Sequence, residues 1–178
     1  PYFVQRRNEW YRFLTSGFLH ADIPHLAFNM YAFYSFSAVA RYYFAVSFGG
    51  LGGLAVFLLL YLGGIVVSDI PTFFKHRDNP NYRSLGASGG VASVMFSCIL
   101  FQPLGEIGVI FLPGVGIPGF VFGLLYVAFS YYQSRRIAAD GINHDAHLYG
   151  AIYGIVLTII LMPSSLLDFW QQISDKYL

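Results

Sequence analysis

Charged side chains are scarce in this sequence. Lys and Arg number 10 and Asp and Glu number 9 among 178 residues, a charged share of 11%. A soluble domain carries about a quarter, so a water-facing surface cannot be covered with what is available. The shortage is also uneven. Between Ile23 and Ser68 the only charged side chain is Arg41, and Ser84–Gly105, Ile107–Ser134 and Ala146–Leu167 carry none. Each run is at or above the roughly 20 residues that a helix needs to cross about 30 Å of hydrocarbon.

Other absences narrow the field further. A single cysteine, Cys98, excludes an intrachain disulfide. A net charge of +1 with no basic, aromatic-studded patch speaks against a nucleic-acid partner. Neither a His-Glu-x-x-His pair nor a cysteine cluster is present, so no metal site is expected. No repeat or low-complexity segment stands out. The first residue is Pro1 rather than Met, and the expectation is that an earlier segment is missing.

What is present is 56% hydrophobic and divides into apolar runs. Residues 1–22 are mixed polar and aromatic, with Arg6, Arg7, Glu9 and Arg12, too polar to span. A first helix is expected from about Pro24 to Arg41, the proline suiting an opening turn. Gly49-Gly50 and Gly52-Gly53 mark a connection, and a second span follows from about Leu54 to Ile70. Pro71–Arg83 reads as a loop with Pro71, Pro80 and Asp78-Asn79. An apolar helix then runs to Phe101, and the prolines of Gln102–Gly119 break up the next connection. Spans near Phe120–Tyr132 and Ala146–Met162, joined by the loop Arg135–Asp145, precede an amphipathic tail. The expected fold is an all-α, five-span transmembrane helix bundle forming one domain over residues 1–178.

Five spans place the starts of the first, third and fifth helices towards one membrane face. Of the 10 Lys and Arg, all but Arg41 and Lys176 fall on that face. Positive-inside bias would turn it to the cytoplasm.

Three polar constellations sit at those helix starts. In Gly86-Ala87-Ser88-Gly89-Gly90 the serine falls where loop gives way to apolar helix. Free backbone N–H groups and the positive dipole end there favour a developing oxyanion. The bland alternative is a small-residue packing face. The pentapeptide also fits G-x-S-x-G, but that motif needs a buried strand before the serine. Asn79–Leu85 is not one. His147 lies at the start of the last span, where an ionisable residue is costly and usually functional. Gly150 and Gly154 follow on the same helix face and would let another helix approach closely. His25 and Asn29, at i and i+4, point the same way, and both can donate hydrogen bonds. A structural helix–helix hydrogen bond is the competing account of the asparagine.

Together these residues resemble the rhomboid family of intramembrane serine proteases. The shared pattern is His25-x-x-x-Asn29, Gly86-x-Ser88-Gly89, and Ala146-His147-x-x-Gly150-x-x-x-Gly154, in the family's order along nearly the whole chain. The resemblance implies a six-helix bundle, a span lacking here before the polar first segment, and a water-filled cavity open to the outer face. It implies Ser88 as nucleophile, His147 as general base, and His25 and Asn29 in the oxyanion hole. Gly86, Gly89, Gly150 and Gly154 would permit close helix packing. Single-span membrane proteins would be the substrates, lipid the surroundings, a bacterial plasma membrane the setting, and no cofactor would be needed. The family's Trp-Arg pair appears as Trp10-Tyr11-Arg12, and Asp145 stands where glycine is frequent. Some members stack an aromatic, four residues after the serine, on the catalytic histidine; here that position is Ala92. The family's orientation places the cation-rich face outward, against the charge bias. Two rival readings are a rhomboid-like binder of membrane proteins that does not cut them, and a transporter whose polar residues line a solute path.

Overall fold

The first long helix starts where a carboxylate is supplied for it. Asp22 accepts a hydrogen bond from the His25 N–H at 2.7 Å, and Pro24 occupies the first turn, an arrangement that satisfies one free donor and wastes none. The computed structural model describes residues 1–108, 114, 116–136 and 142–178. Within them, short helices α1 (Tyr2–Arg6) and α2 (Arg12–Thr15) and a 3-10 turn (Ser16–Phe18) lead into α3 (Ile23–His76). Then come α4 (Ser88–Phe101), strands β1 (Glu106–Gly108) and β2 (Gly116–Pro118), α5 (Gly119–Ser134), α6 (His144–Leu161) and α7 (Ser164–Tyr177). The two strands form an antiparallel hairpin with Ile107 opposite Ile117.

Helix α3 is two limbs. At Gly49 the backbone takes φ 74° and ψ 172°, a left-handed conformation that breaks the helix between 23–48 and 50–76. The limbs then run antiparallel. Phe33 packs on Tyr61 with ring centroids 4.7 Å apart, and a Cβ on Gly53 would strike the backbone of Phe44 and Ala45. The four-glycine run is therefore not one loose connection. Only Gly49 leaves the helix, while Gly53 gives the room that lets the limbs meet.

The helix also continues through Pro71, so the expected loop from Pro71 to Arg83 begins only after His76. Proline deletes one backbone bond, but burial of Thr72 and Phe73 holds the following turn in place. Within Gln102–Gly119 a two-stranded hairpin is present; residues 109–113 and 115 of that connection, and 137–141 of the loop Arg135–Asp145, lie outside the described residues.

All the other long helices gather round α4. Every residue of α4 after Ser88 is buried, as an apolar helix without a polar face demands. Its neighbours approach through small residues. A Cβ on Gly64 would meet Ser93, one on Gly90 would meet the Tyr61 carbonyl, and one on Gly89 would meet Ser68. The outward faces are apolar instead, with Tyr34 81%, Leu51 85%, Leu124 70% and Ile160 67% exposed. Apolar outside and small residues inside is the pattern of helices packed in lipid. The chain is a polytopic helical membrane bundle. Both α3 and α6 are long and apolar enough to cross a membrane. With 14 residues α4 is shorter, covering about 21 Å at 1.5 Å per residue, less than the roughly 30 Å of hydrocarbon.

The reversal at Gly49 makes a paired prediction. Gly49 and Gly50 both have nothing within 4 Å of an added Cβ, and only Gly49 has positive φ. Gly49→Ala should cost about 1–2 kcal/mol through backbone strain, and Gly50→Ala far less. Thermal unfolding of the two variants in detergent micelles measures the difference.

Candidate active site

Helices α4 and α6 touch backbone to backbone at the end where Ser88 and His147 lie. A Cβ on Gly150 would collide with the Gly89 backbone, 2.9 Å from its Cα, and one on Gly89 would sit 3.4 Å from the Ala146 carbonyl oxygen. Ser88 and His147 are the immediate chain neighbours of Gly89 and Ala146. The two side chains thus project from helices that meet at glycine. One turn further in, Ser93 Oγ lies 2.9 Å from the carbonyl oxygens of both Gly89 and Gly150. Next, a Cβ on Gly154 would strike the Ser93 backbone, and the Thr158 hydroxyl lies 2.8 Å from Ser97 Oγ. Small residues at every turn keep the pair closed along its length.

Ser88 opens α4 with no side-chain cap, and its predecessor Ala87 is in helical conformation. The first-turn N–H groups of Ser88, Gly89 and Gly90 precede the first intrahelical bond, from Val91 N–H to the Ala87 carbonyl at 2.9 Å. Such donors, at the positive end of the helix, suit an anion. Gly86 has φ 115°, where a side chain would be strained. Its N–H donates to the Ser16 carbonyl at 3.0 Å, tying this segment to the 3-10 turn.

The His25 ring lies directly over Gly86. A Cβ there would be 2.8 Å from His25 Cε1 and 3.1 Å from Nε2. His25 Nδ1 accepts from the Ala21 N–H at 3.5 Å, which makes Nε2 the N–H donor of the neutral ring. The His20 ring meets His25 edge-on at 5.1 Å, and burial, then the neighbouring His25, lowers the His20 pKa. A neutral His20 puts no cation beside this donor. Asn29 is buried, 4% exposed, and one of its amide N–H groups is spent on the His25 carbonyl at 2.9 Å. That bond lies within α3 rather than between helices, and it leaves the amide a second N–H.

The structure also brings in residues with no sequence motif. Tyr126 of α5 approaches the His147 ring, with centroids 5.9 Å apart and planes inclined at 30°. An aromatic ring thus lies near His147 although position 92 is alanine. His144, buried and edge-on to Phe129, also meets the His147 ring edge-on, with centroids 5.8 Å apart. Tyr126 lies 38 residues after Ser88 on another helix, so spacing gives no hint of it. Asp145 is turned to Lys75, 3.0 Å from Nζ, which also donates to the Ser134 carbonyl at 2.8 Å. Among the described residues no group of three or more His, Cys, Asp or Glu is placed to hold a metal ion.

An alcohol and an imidazole thus stand at touching helix ends, beside a row of backbone donors, within a polytopic membrane protein. The chain belongs to the rhomboid family: residues 7–164 match the Rhomboid domain. It is 30% identical over 145 residues to the human presenilin-associated rhomboid-like protein of mitochondria, covering 80% of this chain and 35% of that protein. It is 32% identical over 149 residues to rhomboid protease GluP of Bacillus subtilis, covering 83% of this chain and 25% of the relative. The putative rhomboid protease YdcA of the same bacterium is 30% identical over 153 residues, 86% of this chain and 68% of the relative. The chain spans about a third of the length of the mitochondrial relatives, 35% in the human case. No solved structure matches. With mitochondrial proteins among the relatives, the expectation of a bacterial plasma membrane is not borne out. An integral membrane location is what the family gives.

The glycine contact sets up a comparison. Gly150→Ala would push a methyl into the Gly89 backbone, whereas Gly123→Ala would place one 3.3 Å from a Phe96 ring carbon. We expect the first to cost about 1–3 kcal/mol as overpacking and the second markedly less, read as unfolding temperatures in micelles.

Proposed function

We propose that this chain is an intramembrane serine endopeptidase that cuts single-span membrane proteins through a Ser88–His147 dyad. The observation that carries the reading is the Gly89–Gly150 contact, which holds the two helix starts together. The supporting facts are the family, and relatives that carry the name rhomboid protease.

A serine hydroxyl is a weak nucleophile until a base takes its proton. In this reading Ser88 Oγ attacks the scissile carbonyl while His147 accepts the hydroxyl proton. The tetrahedral oxyanion is held by the Ser88 N–H, the His25 Nε2–H and the second N–H of Asn29. His147 then gives its proton to the departing amine, leaving an ester on Ser88. Water, deprotonated by His147, attacks that ester and releases the new carboxyl end. Asp145, paired with Lys75, takes no part in the dyad. Tyr126 and His144 pack against the imidazole. The substrate must present extended backbone to Ser88, so a helix that unwinds readily near its end fits best. The reaction also needs a hydrated pocket closed off from lipid.

Labelling by a fluorophosphonate probe tests the dyad. The parent chain should become covalently modified, and Ser88→Ala and His147→Ala should not. A parent that stays unlabelled while still binding single-span proteins would be the non-cutting rhomboid-like binder, and solute flux without labelling would mark the transporter. For Asn29→Ala we expect turnover of a single-span substrate in vesicles to fall about 10²–10³-fold, the usual loss for one oxyanion donor. Parent-like rates in that variant would remove Asn29 from the site.

A further inference from the structure

The amide of Asn143 uses every hydrogen-bonding position it has. Its two N–H groups donate to Asp69 Oδ1 at 3.2 Å and Ser84 Oγ at 2.8 Å. Its oxygen accepts from Thr72 Oγ1 at 3.0 Å and from the Ala146 N–H at 3.1 Å. Two donors and two acceptor sites are all that a carboxamide offers. The ring of bonds closes on itself, because the Ser84 hydroxyl donates to Asp69 Oδ1 at 3.3 Å.

These partners come from three directions. Asp69 and Thr72 lie on the second limb of α3, Thr72 being 1% exposed. Ser84 lies in the segment that leads to Ser88, and Ala146 is the residue before His147. Asn143 itself caps α6. One side chain therefore fixes the start of the histidine helix against both the α3 wall and the approach to the serine.

We propose that Asn143 is a positioning residue, and that its clamp to Asp69, Thr72 and Ser84 sets the depth and rotation of α6 and hence the approach of His147 to Ser88. The inference rests on the protease reading for its consequence in catalysis, but the geometry it claims is independent of that reading. Glycine contact alone does not specify this placement. Gly89 against Gly150 lets the helices touch, yet smooth glycine faces can slide or turn, whereas a saturated amide accepts one arrangement.

Polarity within the clamp is specific as well. Asp69 supplies acceptors and Asn143 supplies the donors that meet them. Exchanging the two residues preserves the pattern: an amide at 69 would donate to a carboxylate at 143, which could still cap α6 and accept from Thr72. Asn143→Asp alone sets two carboxylates together, which disfavours ionisation of both. The charged and titratable groups around them are the Lys75–Asp145 pair, His76 stacked on Tyr82, and His144. The Ser16 side chain also hydrogen-bonds the Asp69 carboxylate.

The test is the rate of fluorophosphonate labelling of the full chain in micelles between about pH 5.5 and 8.5, with unfolding temperature measured alongside. Asn143→Asp should label at least about tenfold more slowly than the parent near pH 8, as small misplacements of reacting groups do. The deficit should shrink as pH falls and one carboxylate takes up a proton. The exchange Asp69→Asn with Asn143→Asp should return to within about threefold of the parent, with the acid-side recovery gone. A folded Asn143→Asp that labels at the parent rate at every pH would overturn the proposal, as would an exchanged pair no faster than the single variant. If Asn143→Asp does not fold, Asn143→Ser keeps an oxygen for the α6 cap and drops the cross-links. Slower labelling by about tenfold supports the clamp, and an unchanged rate overturns it. Should the parent not label at all, the protease reading fails while the clamp is still read by oxidative cross-linking of Ser88→Cys with His147→Cys in a Cys98→Ser background. Adding Asn143→Ser should slow that cross-link severalfold, and an equal rate overturns the inference.

Discussion

Contact between the backbones of Gly89 and Gly150 is the constraint on which the rest of this site depends. Ser88 and His147 are 59 positions apart, and nothing local can bring them together. Two helices carrying ordinary side chains pack with axes 8–10 Å apart, depending on the residues at the contact. Removing the Cβ atoms where they cross lets the starts of α4 and α6 come closer than that. Lipid gives no hydrophobic drive for such an approach, so the attraction must come from packing and hydrogen bonds. Ser93 and Thr158 supply them, each bonding the neighbouring helix in a buried setting.

Close approach has a second requirement, which is that the helices stop sliding. The polar residues at the mouth of the bundle answer it. Lys75 reaches Asp145 on α6 and the Ser134 carbonyl at the end of α5, while Asn143 reaches α3 and the segment before α4. Exposed ion pairs are worth little in isolation, and Lys75 is 47% exposed. The network centred on the Asn143 amide, more enclosed and saturated, carries more of the specification.

Much of this was legible in the residues, because the signals are local. Pro24 announces a helix start, Gly86 before Ser88 announces another, and uncharged runs announce the spans. Pro71 misled because a proline's effect depends on what buries the turn after it, and Thr72 and Phe73 are buried by tertiary packing. The four glycines near 50 misled for a similar reason. Gly49 answers a backbone need and Gly53 a packing need, and composition does not separate the two. Tyr126 and the Asn143 clamp were invisible to spacing, since their partners lie on other helices. Asp69, a carboxylate at the end of an apolar run, was the one available hint.

The shortness of α4 connects the fold to its chemistry. A helix of 14 residues is shorter than the hydrocarbon is thick, and the residues between His76 and Ser88 that lead into it are non-helical. Irregular backbone at membrane depth is tolerated only where protein or water satisfies its polar groups. Here the Ser16 carbonyl takes the Gly86 N–H, and the Ser84 hydroxyl joins Asn143 and Asp69. The backbone N–H groups at the head of α4 precede its first intrahelical bond, with the His25 ring lying over the preceding Gly86. A long, fully capped α4 would have spent those donors at the surface. By starting late, the helix places its positive end, and the serine on it, directly after this tied-down irregular segment.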